Sequence, residues 1–513
     1  MGSGGRTTLR VGVTGGTVEG ERAGPEGEIF AFRGIPYAAP PVGDGRWRPP
    51  GPVVPWDGTR RARAFGPGCP QKLGTEGLYR REDFPRSEDC LYLNVWTGGL
   101  GAEERRPVMV WIHGGAFVFG DASNPTYDGA SLARKGVVVV TLNYRLGALG
   151  FLAHPALSAE SEHGVSGNYG ILDQMAALRW VRKNVAAFGG DPDRVTVFGQ
   201  SAGAMSVAYL QAAALSAGLF HRSIGQSGSC LESHRFLDRP GPTRSTELSA
   251  HGVGLRLAEA LDIRGEGPRA AEELRSVPPD RLLEVQVQVP LGIPIGVVDG
   301  WVFPEQMATT FAEGRQNAVP TLTGFNADED VPIFSGIREL SEDAYQERVR
   351  RRVGPLADAF LAAYREDARE SRARALGRMM ADGIFGRAAR AWARWTAGSG
   401  SDAWLYYFDH AAPLPGHGRS LGAFHAAEVP YVFDNLHLLD RDWSEEDRAL
   451  ARRISARWVA FAREGEPVVP GDIDWPRYDP ETDRALRIGA RDRVVSGVLR
   501  AKLDLLDRML TPT

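Results

Sequence analysis

Short apolar runs rich in β-branched residues recur along the first half of the chain, separated by longer amphipathic stretches. Leu91–Trp96, Pro107–Ile112, Val137–Asn143 and Arg194–Phe198 read as strands, and Val137–Asn143 is apolar on both faces, as a central parallel strand must be. Gln174–Val185 carries helical periodicity and is stopped by Gly189-Gly190-Asp191-Pro192; an Ala-rich helix is predicted over Ala204–Ser216. This alternation predicts βαβ units and a mostly parallel sheet with helices on both faces, an α/β fold. Val11–Val18 and Ile29–Phe32 read as short antiparallel strands capping one edge. The rhythm lapses over 231–315, where Leu248–Leu261 and Ala270–Gln286 read as helices between Pro-rich breaks, so this segment reads as an insertion. Strands resume at Thr321–Phe325 and Ala403–Phe408, with helices at Asp343–Arg352, over Leu356–Trp395 with breaks, and at Glu445–Glu464. No Pro/Ser-rich or charged linker, repeat or low-complexity tract interrupts the pattern, so residues 1–513 are expected to form one domain.

One turn in this pattern carries chemistry. Gly199-Gln200-Ser201-Ala202-Gly203 joins the strand ending at Phe198 directly to a helix. A strand entering a helix through Gly-x-Ser-x-Gly puts the serine on a strained turn, its hydroxyl above the end of the sheet. The small residues on either side let the two backbones approach closely. Gly418-Arg419-Ser420-Leu421-Gly422 matches the same pattern but follows a Pro/Gly-rich loop, and is read as a solvent-exposed turn.

Composition narrows the classes. A hydrophobic content of 43% suffices for a large core, and a formal net charge of −4 gives no electrostatic case for nucleic acid. Lysine occurs only at Lys72, Lys135, Lys183 and Lys502 among many arginines, but the acids are interspersed with them. No apolar run is long enough to span a membrane, and the first thirty residues hold no apolar leader core. A cytoplasmic monomer acting on a small molecule is the expectation, secretion remaining open if a leader was removed. Cys230 reads as a small core residue. Cys69 and Cys90 flank a loop that a disulfide would close in an oxidising compartment, worth about 3 kcal/mol in the chain-entropy model, and would stay thiols in a reducing one.

A serine nucleophile needs a base, an orienting acid and donors for a developing oxyanion. The strand Pro107–Ile112 ends in His113-Gly114-Gly115, whose exposed amides can serve as donors together with the N–H of Ala202. The serine–acid–histidine order of such folds leaves His410, His417, His425 and His437 as bases, and His425 is favoured because apolar neighbours would hold its ring. The acid should follow a strand, and Asp328-Glu329-Asp330 follows Thr321–Phe325; spacing does not choose among the three.

Several ordered blocks go further. Ser87–Val95, Asn143–Gly147, Asn168–Gln174, Phe198–Gly203, Gln226–Gly228 and Val298–Gly300 resemble those of the type-B carboxylesterases, which include bacterial p-nitrobenzyl esterases, liver-type carboxylesterases and cholinesterases. The resemblance covers nearly the whole chain. It implies an α/β-hydrolase fold, a large mostly parallel sheet with helical insertions forming an active-site gorge, to which 231–315 would contribute. It also implies a serine carboxylesterase without metal or cofactor. The family's Gly-x-x-x-Asp-Glu-Gly motif falls on Gly324–Asp330, which implies Glu329 as the acid, with Asp330 in place of the usual glycine. The family histidine, followed three residues on by an acid, falls on His425, and the oxyanion hole on Gly114, Gly115 and Ala202. Gln200 stands where many members have glutamate, and the loop Pro70–Asp89 contains Tyr79 but no tryptophan; both argue against choline esters.

The expected activity is hydrolysis of short to medium uncharged esters through an acyl-enzyme on Ser201. A carbamate or amide hydrolase would use the same machinery. A non-catalytic cholinesterase-like adhesion protein of the neuroligin kind would generally lack an intact nucleophile. Trp301, Phe303, Phe311 and Phe334 are candidates for gorge or core.

Overall fold

The computed structural model describes residues 9–72, 84–288, 295–414 and 420–510. An eleven-stranded sheet runs through it in the order Arg493–Ser496, Arg484–Ile488, Ala403–Phe408, Thr321–Asn326, Arg222–Gln226, Gly190–Gln200, Arg106–Ile112, Val138–Leu142, Tyr92–Thr97, Ile29–Pro36 and Glu21–Ala23. Every neighbouring pair from Val138–Leu142 across to Arg484–Ile488 is parallel, and both flanks are antiparallel.

Successive side chains of a strand point to opposite faces, and here each face meets a core of its own. Val108, Val110 and Ile112 pack into one cluster with the helix Tyr169–Asn184; Met109 and Trp111, from the same strand, pack into another with the helix Glu445–Glu464. Burial on both sides is why Val138–Leu142 shows no polar alternation. The segment 231–315 is no separate body among the described residues. Leu257, Leu274, Leu282, Phe303 and Phe311 share the first of these cores, so Phe303 and Phe311 are core side chains. Trp301 is half-buried, its ring 3.9 Å from that of His163.

Three expectations change. Val11–Val18 is a hairpin of two strands, Arg10–Val13 and Gly16–Glu19, the second of which pairs with Thr59–Arg61 to complete a separate small sheet that does not include Ile29–Pro36. Its turn takes φ +101° at Gly15, where a methyl group would stand 2.4 Å from the Trp56 ring. The last two strands, Arg484–Ile488 and Arg493–Ser496, are not predicted because arginines break their apolar pattern. The helix predicted over Ala270–Gln286 is two, Pro268–Ser276 and Pro279–Gln288, parted before Pro278, where a helical N–H would be lost. Among the described residues, no helix is long and apolar enough to cross a membrane.

Candidate active site

The strand Gly190–Gln200 delivers Ser201 at its carboxyl end, and the helix Ala202–Ala212 begins one residue later. Ser201 sits at φ +57°, ψ −125°, a conformation that costs an L-residue energy and persists only where its surroundings enforce it. They do. Its N–H donates to the Gln226 carbonyl at 2.8 Å and its carbonyl accepts from Met205 N–H at 2.9 Å. A methyl group on Gly203 would stand 2.0 Å from the Ile112 carbonyl oxygen, and one on Gly199 would stand 2.5 Å from the Gly203 carbonyl carbon. The two flanking glycines are therefore what lets strand, turn and helix meet.

Gly114 lies against this turn: a methyl on it would stand 3.2 Å from Ser201 Cβ and 2.6 Å from the Gln200 carbonyl oxygen. Gly115, Ala116 and Phe117 have φ of +105°, +52° and +60°, so the chain after Gly114 is held in a left-handed path. The holding contacts are numerous. Gly147 N–H donates to the Phe117 carbonyl at 2.6 Å, Tyr144 OH to the His113 carbonyl at 2.9 Å, and His113 stacks on Tyr144. Burial pushes His113 below the usual imidazole range, keeping it neutral. Its Nδ1 lies 2.8 Å from the Gly114 carbonyl oxygen, so that nitrogen carries the proton and donates. That bond occupies the Gly114 carbonyl. The Ala202 N–H, first of its helix, has no acceptor one turn back.

His425 and Glu329 are both buried, 5% and 4% exposed. His425 Nδ1 donates to Glu329 Oε2 at 2.5 Å, while Glu329 Oε1 accepts the Asn326 N–H at 2.7 Å, so each carboxylate oxygen has a fixed donor. With Nδ1 carrying the proton, Nε2 presents a lone pair, and the amide Nε2 of Gln200 donates to it at 3.1 Å. That contact ties the imidazole to the residue preceding Ser201. Phe385 packs against the ring, centroids 4.7 Å apart and planes tilted by 35°, from a π-helical turn over Asp382–Gly386.

The other histidines stand elsewhere. His410 Nε2 meets Asp447 Oδ1 at 2.7 Å, His437 is exposed, and His417 lies outside the described residues. Ser420 is exposed and donates to the Ala412 carbonyl at 2.8 Å, an ordinary turn contact. Tyr79 also lies outside the described residues. Cys69 and Cys90 are free, buried thiols, so the disulfide is not present. The Cys69 thiol beside it and burial push Cys90 well up, which favours two neutral thiols over a thiolate pair.

Sequence reasoning missed a supporting network. Glu428 accepts from Gln226 Nε2 at 2.9 Å and from Asn326 Nδ2 at 2.7 Å, and Asn326 Nδ2 also donates to the Phe424 carbonyl at 2.9 Å. Burial and the neighbouring Glu329 charge raise Glu428 above its ordinary value. Gln226 closes a strand and Asn326 another, so only the sheet brings them to the histidine turn. No local signal marks them, apart from the acid that follows the histidine by three residues.

Beyond Gln226 the chain passes behind the elbow, where a methyl on Gly228 would meet the Ser201 carbonyl oxygen at 2.6 Å. Further on, Glu232 is half-buried, its Oε2 shielded and without a hydrogen-bond partner, and burial raises its carboxyl to about 7. A raised folded value means the charged form weakens the fold, by an amount that grows between the ordinary value of 4.5 and about 7 and then levels off. Glu232→Gln is therefore expected to melt above the wild type at pH 8 and level with it near pH 4 by thermal denaturation. A difference independent of pH would contradict this.

The comparisons agree with the geometry. The carboxylesterase family model matches residues 7–505. The chain is 40% identical over 477 residues to the fumonisin B1 esterase of Sphingopyxis macrogoltabida, covering 90% of this chain and 84% of that protein. It is 37% identical over 474 residues to the para-nitrobenzyl esterase of Bacillus subtilis strain 168, covering 90% and 91%. The crystal structure of Geobacillus stearothermophilus carboxylesterase EST55 superposes with a TM-score of 0.82 at 34% identity, over 97% of this chain and 100% of that one. With the parallel sheet and strained serine turn already in place, a match along this much of the chain makes it a member of the carboxylesterase family, a carboxylic ester hydrolase of the type-B class with the α/β-hydrolase fold.

Proposed function

We propose that Ser201 is the nucleophile, His425 the base and Glu329 the orienting acid in hydrolysis of short to medium uncharged carboxylic esters. The observation that carries this is the state of His425: Nδ1–H is committed to Glu329, and the Nε2 lone pair is held at the serine turn by the Gln200 amide, a donor that the Ser201 hydroxyl displaces when the base acts. Ser201 Oγ bonds to the ester carbonyl carbon while its proton passes to His425 Nε2, and the carbonyl electron pair moves onto oxygen. The amides of Gly114, Gly115 and Ala202 hold that oxyanion, each donor worth about 3 kcal/mol. Collapse expels the alcohol, which takes the proton from Nε2. Water then adds to the acyl-enzyme with His425 again accepting the proton; collapse breaks the bond to Ser201 Oγ, which takes that proton back from Nε2, and the carboxylic acid leaves. Glu329 keeps the tautomer and stabilises the imidazolium.

The neutral Gln200 beside the base supports an uncharged substrate, since it offers no carboxylate to a cationic alcohol. The segment 231–315 and the loops after Phe117 and His425 shape the acyl and alcohol sites. A fluorophosphonate is expected to label Ser201 stoichiometrically, mapped by peptide mass. With p-nitrophenyl esters from acetate to laurate, kcat/KM is expected to peak at short to medium chains and to exceed that of a matched anilide by more than a hundredfold. Labelling elsewhere, or a preference for the anilide, would overturn the reading.

A further inference from the structure

The acid turn and the base turn are joined by more than the Glu329–His425 bond. Asp328 N–H donates to the Ala423 carbonyl at 3.0 Å, Ala423 N–H to Asp328 Oδ2 at 2.9 Å, and His425 N–H to the Val331 carbonyl at 2.9 Å. Asp328 and Phe424 form an isolated parallel bridge. The two turns thus form a short ladder, and the side chains along the acid turn diverge. Glu329 meets His425, while Asp328 and Asp330 on either side of it meet the helix Arg372–Ala381.

Two arginines one helical turn apart receive them. Arg374 Nη2 donates to Asp328 Oδ1 at 2.7 Å and its Nε to Asp330 Oδ2 at 3.4 Å. Arg378 Nη2 donates to the same Asp328 oxygen at 3.1 Å, and its Nε lies 3.8 Å from Asp330 Oδ1. Positions i and i+4 share a helix face, which is why both guanidinium groups reach one turn. Asp330 is 4% exposed. Burial lifts its carboxyl and the two arginines restrain that rise. Its φ is not positive, so the aspartate in the family's glycine position meets no backbone strain.

We propose that Arg374 and Arg378 are positioning residues of the ester hydrolase, clamping Asp328 and Asp330 so that Glu329 meets His425 and no uncompensated carboxylates stand beside it. The inference rests on reading Ser201, His425 and Glu329 as the reacting groups. Asp330, absent from the family motif, is then tolerated because this chain supplies its counter-charges. Among the described residues, the charged groups around His425 include Glu329 on the acid turn, Glu428 on its own turn and, behind Glu329, the Asp328–Asp330–Arg374–Arg378 cluster, while Gln200 and Phe385 are neutral. Outside the cluster, Arg378 also pairs with Asp367, which holds Lys502, and Arg374 has Glu370 at 3.9 Å.

The sign follows from the charges. Removing both guanidinium groups leaves two carboxylates facing the imidazole through Glu329, which favours the imidazolium and keeps the base protonated to higher pH. Solvent reaches the cluster, since Arg374 is about a third exposed and Arg378 about a quarter, so the shift is limited by screening.

The test compares wild type, Arg374→Gln/Arg378→Gln, Arg374→Lys/Arg378→Lys and the double Gln variant carrying Asp330→Gly, all in the full chain. Each is assayed with p-nitrophenyl acetate from pH 5 to 9, titrated with a fluorophosphonate and melted thermally. The double Gln variant is expected to lose about 10- to 100-fold in kcat with little change in KM, and the acid limb of its kcat/KM profile should move up by about half a pH unit. The lysine pair should keep the limb in place, and Asp330→Gly should return it part of the way, Asp328 still standing without its counter-charges. A limb that stays put in a folded, fluorophosphonate-labelled double Gln variant overturns the clamp alone. So does a shift that Asp330→Gly leaves intact. Wild-type protein unlabelled at Ser201 overturns the reading beneath it and the clamp with it.

Discussion

Ser201→Ala is expected to lower kcat on p-nitrophenyl acetate by about 10⁴- to 10⁶-fold while leaving the melting temperature within a few degrees of wild type. The loss is that large because the remaining groups then have nothing to activate: the imidazole and the acid act through one oxygen, and their contributions vanish together with it. The residue left, with oxyanion donors and substrate binding intact, is the modest rate those features give alone. The fold should hold because the strain at position 201 is common to both side chains. Alanine inherits the same φ of +57° and the same backbone bonds to Gln226 and Met205. Steady-state kinetics with fluorophosphonate titration measures it. Turnover within a hundredfold of wild type would place the nucleophile elsewhere.

Gly203→Ala should act on the same turn from the opposite direction, through stability. The added methyl would lie 2.0 Å from the Ile112 carbonyl oxygen, and backbone in the middle of a parallel sheet cannot swing aside as a flexible side chain can. The strand Arg106–Ile112 is hydrogen-bonded on both sides, to Val138–Leu142 and to Gly190–Gln200. The helix Ala202–Ala212 must back away, carrying Ser201 with it. A cost of about 3 kcal/mol, the upper part of the overpacking range, is expected in chemical denaturation, together with a kcat loss from the displaced hydroxyl. By contrast, at Gly252 the nearest contact would be the Ser249 side-chain hydroxyl at 3.3 Å, tight but far from the backbone overlap at Gly203, so the same change should cost much less there. An unchanged denaturation midpoint for Gly203→Ala would mean that strand and helix stand farther apart at the elbow than described.

What the sequence disclosed follows the reach of each interaction. The nucleophile turn was legible because strand, pentapeptide and helix are contiguous, so every contact that strains Ser201 lies within a few residues or one strand away. The central strands were legible because burial on both faces removes all polar alternation from Val138–Leu142. His425 was one of four candidates, and only apolar flanks and family resemblance favoured it. Glu329 was indistinguishable from Asp328 and Asp330 by spacing, because what separates them is which side of a turn each side chain takes. Phe385, Arg374 and Arg378 left no trace, and Gln226 and Asn326 stood inside family blocks with no role attached. Each reaches the site across the sheet or from a distant helix, and taken locally each is an ordinary strand-end amide, core aromatic or helix-surface arginine. The glutamine before the serine was noticed as a departure, but its bond to His425 Nε2 is a fact of three dimensions.

The proposed reacting groups come from positions 201, 329 and 425, each held by a strand terminus or by a turn laid across one, and adjacent strands of the parallel array pass the alignment between them. Four neighbouring strands, from Gly190–Gln200 to Ala403–Phe408, bring the three together, and the last of them lies past residue 400 in the chain. On the proposed reading, turnover reports completed folding, since a chain that has built its first strands and its serine turn lacks its base until the stretch beyond residue 400 has docked.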